Sequence, residues 1–171
     1  AKGLAPVVGA VKIGSELFTH AGPEIVKKIR ATGASVFLDL KFYDIPNTVA
    51  KAAASAVRLD VDMITIHTSG GSEMMAAAER SANEIASELG DKPPLVLGVT
   101  VLTSFDGIGL AETGLDSDVG KRVARLAQLA VKSGLRGLVC SAVEITFLKP
   151  CLPSEIKLIT PGIRPEGSKT D

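Results

Sequence analysis

Three charged side chains, Asp39, Lys41 and Asp44, crowd one short stretch of this 171-residue chain, and Lys12 stands on the apolar segment before it. The stretch runs Ser35-Val36-Phe37-Leu38-Asp39-Leu40-Lys41-Phe42-Tyr43-Asp44-Ile45-Pro46-Asn47-Thr48, opening as an alternating apolar strand and ending in charge. Side chains alternate with period two along a strand, so Val36, Leu38 and Leu40 share one face and Phe37, Asp39 and Lys41 the other. An acid and a base on one face, at the C-terminal end of a strand, are poor core material, because each buried ion is costly unless it pairs or meets a ligand. Together with Lys12 and Asp44 they can form an array of alternating charge. Each opposite pair at roughly 4 Å is worth about 1 kcal/mol in water and about 4 kcal/mol at an effective dielectric near 20. Such an array is neutral in sum yet directional, able to hold a lysine protonated beside a reacting carbon. The bland alternative, a salt-bridge cluster capping a barrel mouth, fits poorly with two acids flanking one central lysine.

The elements that must position these groups alternate along the chain. Leu4 to Val8 reads as the tail of a helix, 9–14 as a short strand, and Pro23 as a helix start with Ile25, Val26 and Ile29 in a stripe stopped by Gly33. After the charged strand 35–41, Asn47 or Thr48 caps a helix whose Val49, Ala52, Ala53, Ala56 and Val57 form one face. Strand 63–67 follows, with Met63, Thr65 and His67 opposite Ile64 and Ile66. A longer helix then runs from about Ser72, with Met75, Ala78, Ala82, Ile85 and Leu89 at helical spacing, to Gly90. Leu95 to Leu102 is an almost continuous apolar run, as in a parallel strand covered on both faces. A loop over 103–118 leads to an amphipathic helix from Val119 to Gly134, then strand 138–141, a short helix 142–148 and strand 156–160.

Strand and helix alternate without a hairpin signal, which implies parallel strands joined by right-handed crossovers. Six strands and six helical segments suit either an open doubly wound sheet or a barrel. Polar residues gather at one strand end after another: Lys12, Asp39 with Lys41, His67, Thr103, Ser141 and Arg164. An open sheet collects ligands at one switch point, whereas every strand of a barrel rims one site. The expectation is therefore an α/β chain of TIM (β/α)8 type, a single domain over 1–171 holding about six β/α units. A closed barrel needs eight strands and about 200 residues or more. The chain opens on Ala1 and ends on 167–171 without a capping element, so one strand is expected beyond each end.

Composition narrows the partners. With 46% apolar residues, 22% charged residues and a net charge of zero, the chain has enough apolar content for one sizeable core, and neither sign is in excess to favour nucleic acid or a membrane surface. Cys140 and Cys151 are too few for a disulfide framework, and no apolar run is long enough to span a bilayer, so a reducing, cytoplasmic setting is expected. Among the remaining polar groups, His67 has no second histidine at ligand spacing, His20 lying at a helix start, which argues against zinc. Gly70-Gly71 could present amides to an anion, but a turn before a helix needs the same glycines. Thr103 and Ser104 read equally as ligand contacts or as a loop start. Arg164, on a Pro-Gly loop, is suited to clamp a phosphate.

Asp39-Leu40-Lys41-Phe42-Tyr43-Asp44-Ile45-Pro46-Asn47-Thr48 closely resembles the signature of the orotidine 5′-phosphate decarboxylases. The core Asp-x-Lys-x-x-Asp is shared with phosphosugar decarboxylases and aldolases of related barrels, and Ile45-Pro46-Asn47-Thr48 narrows the resemblance. Further matches are Val11 to Gly14 with Glu16 to Thr19, Ile66-His67 with Ser69 to Gly71, Val99 to Ser104, and Pro161 to Pro165. The resemblance implies a homodimeric barrel that decarboxylates orotidylate to uridylate in pyrimidine biosynthesis, without metal or organic cofactor. On that basis Lys41 protonates C6, Asp39 lies against the scissile carboxylate, and Lys12 holds Asp39 and a ribose hydroxyl. Asp44 and Thr48 reach the neighbouring subunit's site, with Ile45, Pro46 and Asn47 also at the substrate. Thr103 meets the pyrimidine and Arg164 lies near the phosphate. The family's aspartate on its first strand, its glutamine after the Pro-Gly-Ile-Arg loop and its final Gly-Arg have no counterpart within 1–171. Two other functions compete. A magnesium-dependent enzyme of keto-sugar phosphates would carry an acid where Lys12 stands, and a barrel that only binds would have lost Lys41 or Asp39.

Overall fold

The computed structural model describes residues 3–164 and 167. Six strands form one parallel sheet: β1 Val11–Gly14, β2 Val36–Phe42, β3 Met63–His67, β4 Leu95–Val99, β5 Gly137–Val139 and β6 Lys157–Ile159. Their spatial order is their chain order, β1-β2-β3-β4-β5-β6. A doubly wound sheet reverses its strand order at a switch point. No reversal occurs here, and the sheet is the wall of a half-barrel with β1 and β6 at its edges.

The crossovers carry helices α1 Ser15–Ala21, α2 Glu24–Arg30, α3 Pro46–Val57, α4 Gly71–Leu89, α5 Gly107–Glu112, α6 Val119–Lys132 and α7 Ile145–Leu148. The core lies between their inner faces and the sheet, where Val26, Leu38, Ile64, Ile66, Val96, Val123 and Leu138 are buried. The α3 and α4 helices meet through small residues, among them Ala53, Ala56, Ala78 and Ala82, all buried. Ser81 Oγ on α4 donates across to the carbonyl of Ala50 on α3 at 2.9 Å. Helix α4 opens on Gly71 at φ +85° and closes on Gly90 at φ +73°, backbone angles that favour glycine at both ends. Gly70 is needed for packing, since a Cβ there would collide with the Met74 side chain. Turn and packing thus account for the Gly70-Gly71 pair.

Several expectations are corrected. Leu4 to Val8 forms turns rather than a helix, with the amides of Val7 and Val8 both on the Leu4 carbonyl. Helix α1, too short to show a periodic stripe, places His20 in its last turn rather than at a helix start. Neither Asn47 nor Thr48 caps α3, which begins at Pro46 with Ile45 at the cap position. The pre-set φ of proline starts the helix without a side-chain cap. Within the expected loop 103–118, Asp106 Oδ1 accepts the Gly109 amide at 2.8 Å and caps α5. Strand β4 stops at Val99, short of the expected Leu102; the Thr100 amide makes the last ladder bond, to the Val139 carbonyl, which also accepts the Thr100 hydroxyl at 3.2 Å. Ser141 does not join the polar mouth; it forms a capping box with Glu144. Leu89, at the end of α4, is exposed. Pro165 and the tail 168–171 lie outside the described residues.

Candidate active site

Strand β2 carries the centre of the site and is not regular. Leu38 pairs with Ile64 and Phe42 with Ile66, so Asp39, Leu40 and Lys41 all stand opposite the single residue Thr65. This is a bulge with two extra residues, and an even excess preserves the alternation of faces. Lys41 sits in it at φ +51°, a left-handed conformation that is uncommon for a residue with a Cβ. Strain of this kind concentrates where a side chain must be aimed.

The aim is visible in the contacts. Lys41 Nζ donates to Asp39 Oδ1 at 2.9 Å, and Lys12 Nζ on β1 lies 3.5 Å from Asp39 Oδ2. Thr65 Oγ1 donates to Asp39 Oδ1 at 3.0 Å and accepts the Lys41 backbone amide at 2.9 Å. Asp39 is 13% exposed at its side chain, against 34% for Lys41 and 57% for Lys12, so the acid is sheltered while both ammonium groups keep access to an arriving ligand. Burial by itself would raise the Asp39 carboxyl. The hydrogen bonds from Lys41 and Thr65 and the charges of Lys41 and Lys12 outweigh it and hold the group below the usual carboxylate range. Asp39 is therefore an anion at neutral pH.

A cavity of about 460 Å³ opens over this cluster. Lys12, Phe37, Asp39 and Lys41 line one side, Thr103 with Val101 and Leu102 another, and 159–162 with Arg164 a third. The volume is that of a small-molecule site. Cys140 also lines it; its thiol is pushed up to about 11, first by burial and then by the charge of Glu144.

Sequence reasoning placed Lys12, Asp39, Lys41, Thr103 and Arg164 at one mouth, and the fold brings all five to the cavity. Asp44 is not part of the charge array within the chain. It lies past the strand end, exposed, with Oδ1 accepting the Ile45 amide, because the turn into α3 directs it outward. Ile45, Asn47 and Thr48 are likewise exposed, Pro46 is half-buried, and none of the four lines the cavity. His67 does not line it either. Its ring packs against Tyr43 at 5.6 Å between centroids, beside a separate pocket of about 310 Å³ that also touches Phe105 and Arg122. Burial lowers the His67 pKa, the Lys41 charge adds to this, and Asp39 opposes it. Thr65 is the contact residue of this cluster that sequence reasoning missed. Its inward face was legible from alternation, but its place opposite three residues of β2 depends on register.

A sequence model described as Orotidine 5′-phosphate decarboxylase / HUMPS family matches residues 1–171. The chain belongs to this family. An orotidine 5′-phosphate decarboxylase of Opitutus terrae is 49% identical over 170 residues, 99% of this chain and 72% of that protein. The enzyme of the same name from Idiomarina loihiensis is 51% identical over 160 residues, covering 94% and 67%. Among solved structures, orotidine 5′-phosphate decarboxylase from Lactobacillus acidophilus superposes with a TM-score of 0.83 at 37% identity, over 90% of this chain and 69% of that one. The Pyrococcus horikoshii structure of the same name, at 20% identity and a TM-score of 0.77 over 97% and 72%, shares the fold. As a member of the orotidine 5′-phosphate decarboxylase / HUMPS family, the chain has its Asp-x-Lys-x-x-Asp run on β2 and the turn after it. Two of the three charged positions lie in the cavity and the third outside.

Proposed function

We propose that this chain, a single domain over 1–171 carrying about six β/α units of the barrel, removes carbon dioxide from C6 of orotidine 5′-phosphate to give uridine 5′-phosphate, with Lys41 supplying the replacing proton. Family membership and the orotidine 5′-phosphate decarboxylases at about 50% identity identify a carboxy-lyase of pyrimidine biosynthesis. The residue roles rest on one observation: an ionised Asp39 held between two ammonium groups at 2.9 and 3.5 Å, at the floor of a ligand-sized cavity.

Breaking the bond between C6 and its carboxylate leaves the electron pair on C6, in an orbital that the ring does not delocalise well. An ammonium at C6 answers the developing charge, and preorganised charge of this kind is usually the largest catalytic contribution. Lys41 then transfers a proton from Nζ to C6, becomes a neutral amine and is reprotonated from solvent. Asp39, fixed beside the departing carboxylate, repels it in the ground state, and the repulsion disappears as carbon dioxide leaves. Lys12, with more than half of its side chain exposed, keeps Asp39 in place and offers its remaining protons to a ribose hydroxyl. Thr103 contacts the pyrimidine and Arg164 the phosphate, whose remote binding energy holds the reacting carbon against Lys41.

The protein acts as a homodimer in this reading. Asp44 and Thr48, which do not line their own cavity, serve the site of the neighbouring copy, and Ile45, Pro46 and Asn47 also lie at the substrate. The free thiols Cys140 and Cys151 accord with a cytoplasmic setting. No helix among the described residues is long and apolar enough to cross a membrane. An ultraviolet assay of orotidylate loss tests the function, with Lys41→Ala as control. Activity in the wild type and its loss in the variant are expected. A wild type that binds uridylate yet leaves orotidylate intact overturns the proposal.

A further inference from the structure

We infer that Thr65 is the positioning residue that locks Asp39 and Lys41 into their working geometry. The inference rests on the assignment of those two side chains as the reacting pair. Three residues of β2 stand opposite Thr65 alone, so the regular ladder has no partner to offer each amide of the bulge. The Thr65 hydroxyl takes over that role. Its oxygen accepts the Lys41 amide at 2.9 Å, and its single proton goes to Asp39 Oδ1 at 3.0 Å. The direction of both bonds is fixed, because an amide can only donate and a carboxylate can only accept.

One atom therefore couples the left-handed backbone of Lys41 to Asp39 Oδ1, the same carboxylate oxygen that Lys41 Nζ grips. Thr65 is 1% exposed, so water does not compete for either bond. Its β-branched side chain also has few rotamers to choose from. Neighbouring buried hydroxyls behave differently: Thr68 and Thr100 donate to the backbone carbonyls of Val99 and Val139. Among the described residues, Thr65 is the uncharged side chain that hydrogen-bonds the Asp39 carboxylate.

The test compares Thr65→Val, Thr65→Ala and Thr65→Ser in the intact enzyme, measuring kcat, KM and the pH profile of kcat/KM. Valine preserves volume and removes both hydrogen bonds; the serine and alanine pair isolates the hydroxyl should valine fail to fold. Removing the hydroxyl is expected to lower kcat roughly 10- to 100-fold, the effect of one lost hydrogen bond to a charged group. KM should change less than about threefold, because the cavity walls that bind substrate are untouched. Serine should recover about tenfold over alanine. The acid limb of kcat/KM should move to higher pH, since Asp39 loses a bond that favours its anion while Lys12, Lys41 and His67 around it are unchanged. A merely structural role would lower the melting temperature without moving that limb. Wild-type kcat in folded Thr65→Val or Thr65→Ala, or equal values for serine and alanine, overturns the inference. Lys41→Ala, run alongside, separates the two layers: if it stays active, the assignment of the reacting pair has failed instead.

Discussion

Asp39→Asn tests the electrostatic core of the mechanism, because it removes one charge and almost no volume. The wild-type carboxylate sits between Lys41 at 2.9 Å and Lys12 at 3.5 Å and is only 13% exposed. A substrate carboxylate bound about 4 Å from it would feel a repulsion of about 4 kcal/mol at an effective dielectric near 20. That repulsion is present in the bound substrate and absent once carbon dioxide has left. Its removal should therefore lower kcat by about a thousandfold, at about 1.4 kcal/mol per factor of ten. KM should fall or stay constant, since both lysines then face the substrate carboxylate without a competing anion. A joint fall in kcat and KM is the mark of lost ground-state strain. Stability should suffer modestly. The Lys12 pair is largely exposed and contributes under about 1 kcal/mol, and the Lys41 pair about 1–2 kcal/mol after allowance for solvent screening. Steady-state ultraviolet kinetics at several orotidylate concentrations, with urea unfolding of the same samples, supply both readings. A rise in KM at unchanged kcat would show that Asp39 binds the substrate rather than destabilising it, and would refute the reasoning.

At position 41, Lys41→Gly should be more stable than Lys41→Ala by about 1 kcal/mol, since the φ of +51° penalises a Cβ; urea midpoints giving alanine the advantage would remove the bulge from the account. His67 is held below its usual value by burial, with the Lys41 charge adding to this, so the unfolded chain binds its proton more tightly. Stability should then fall as pH drops from about 7 to about 5, and the slope should flatten in His67→Gln. Equal slopes in the two proteins would contradict the burial of the ring. Asp44→Ala and Lys41→Ala should each be inactive alone. Mixed in equal amounts and allowed to exchange, half of the dimers combine the two lesions and hold one intact site of two, returning about a quarter of wild-type activity. No recovery after demonstrated exchange would keep Asp44 out of the neighbouring site.

The chemistry was legible in the sequence wherever it depended on local periodicity. Alternation along 35–41 put Phe37, Asp39 and Lys41 on one face, and they line one side of the cavity. The succession of strand and helix gave parallel pairing, and polar strand ends suggested a barrel mouth that Lys12, Thr103 and Arg164 share. Short elements escaped because they carry too few turns to show a period: α1 left no stripe, and α5 is announced by little more than Asp106. What only the tertiary structure decided is relational. The unbroken strand order separates a barrel wall from a doubly wound sheet, and no single segment contains that information. Register set three residues of β2 against Thr65, and Lys41 among them is left-handed, its amide joined to Asp39 through one hydroxyl. Those facts depend on how two strands more than twenty residues apart meet, and hydrophobic pattern specifies the face of a strand but not its step.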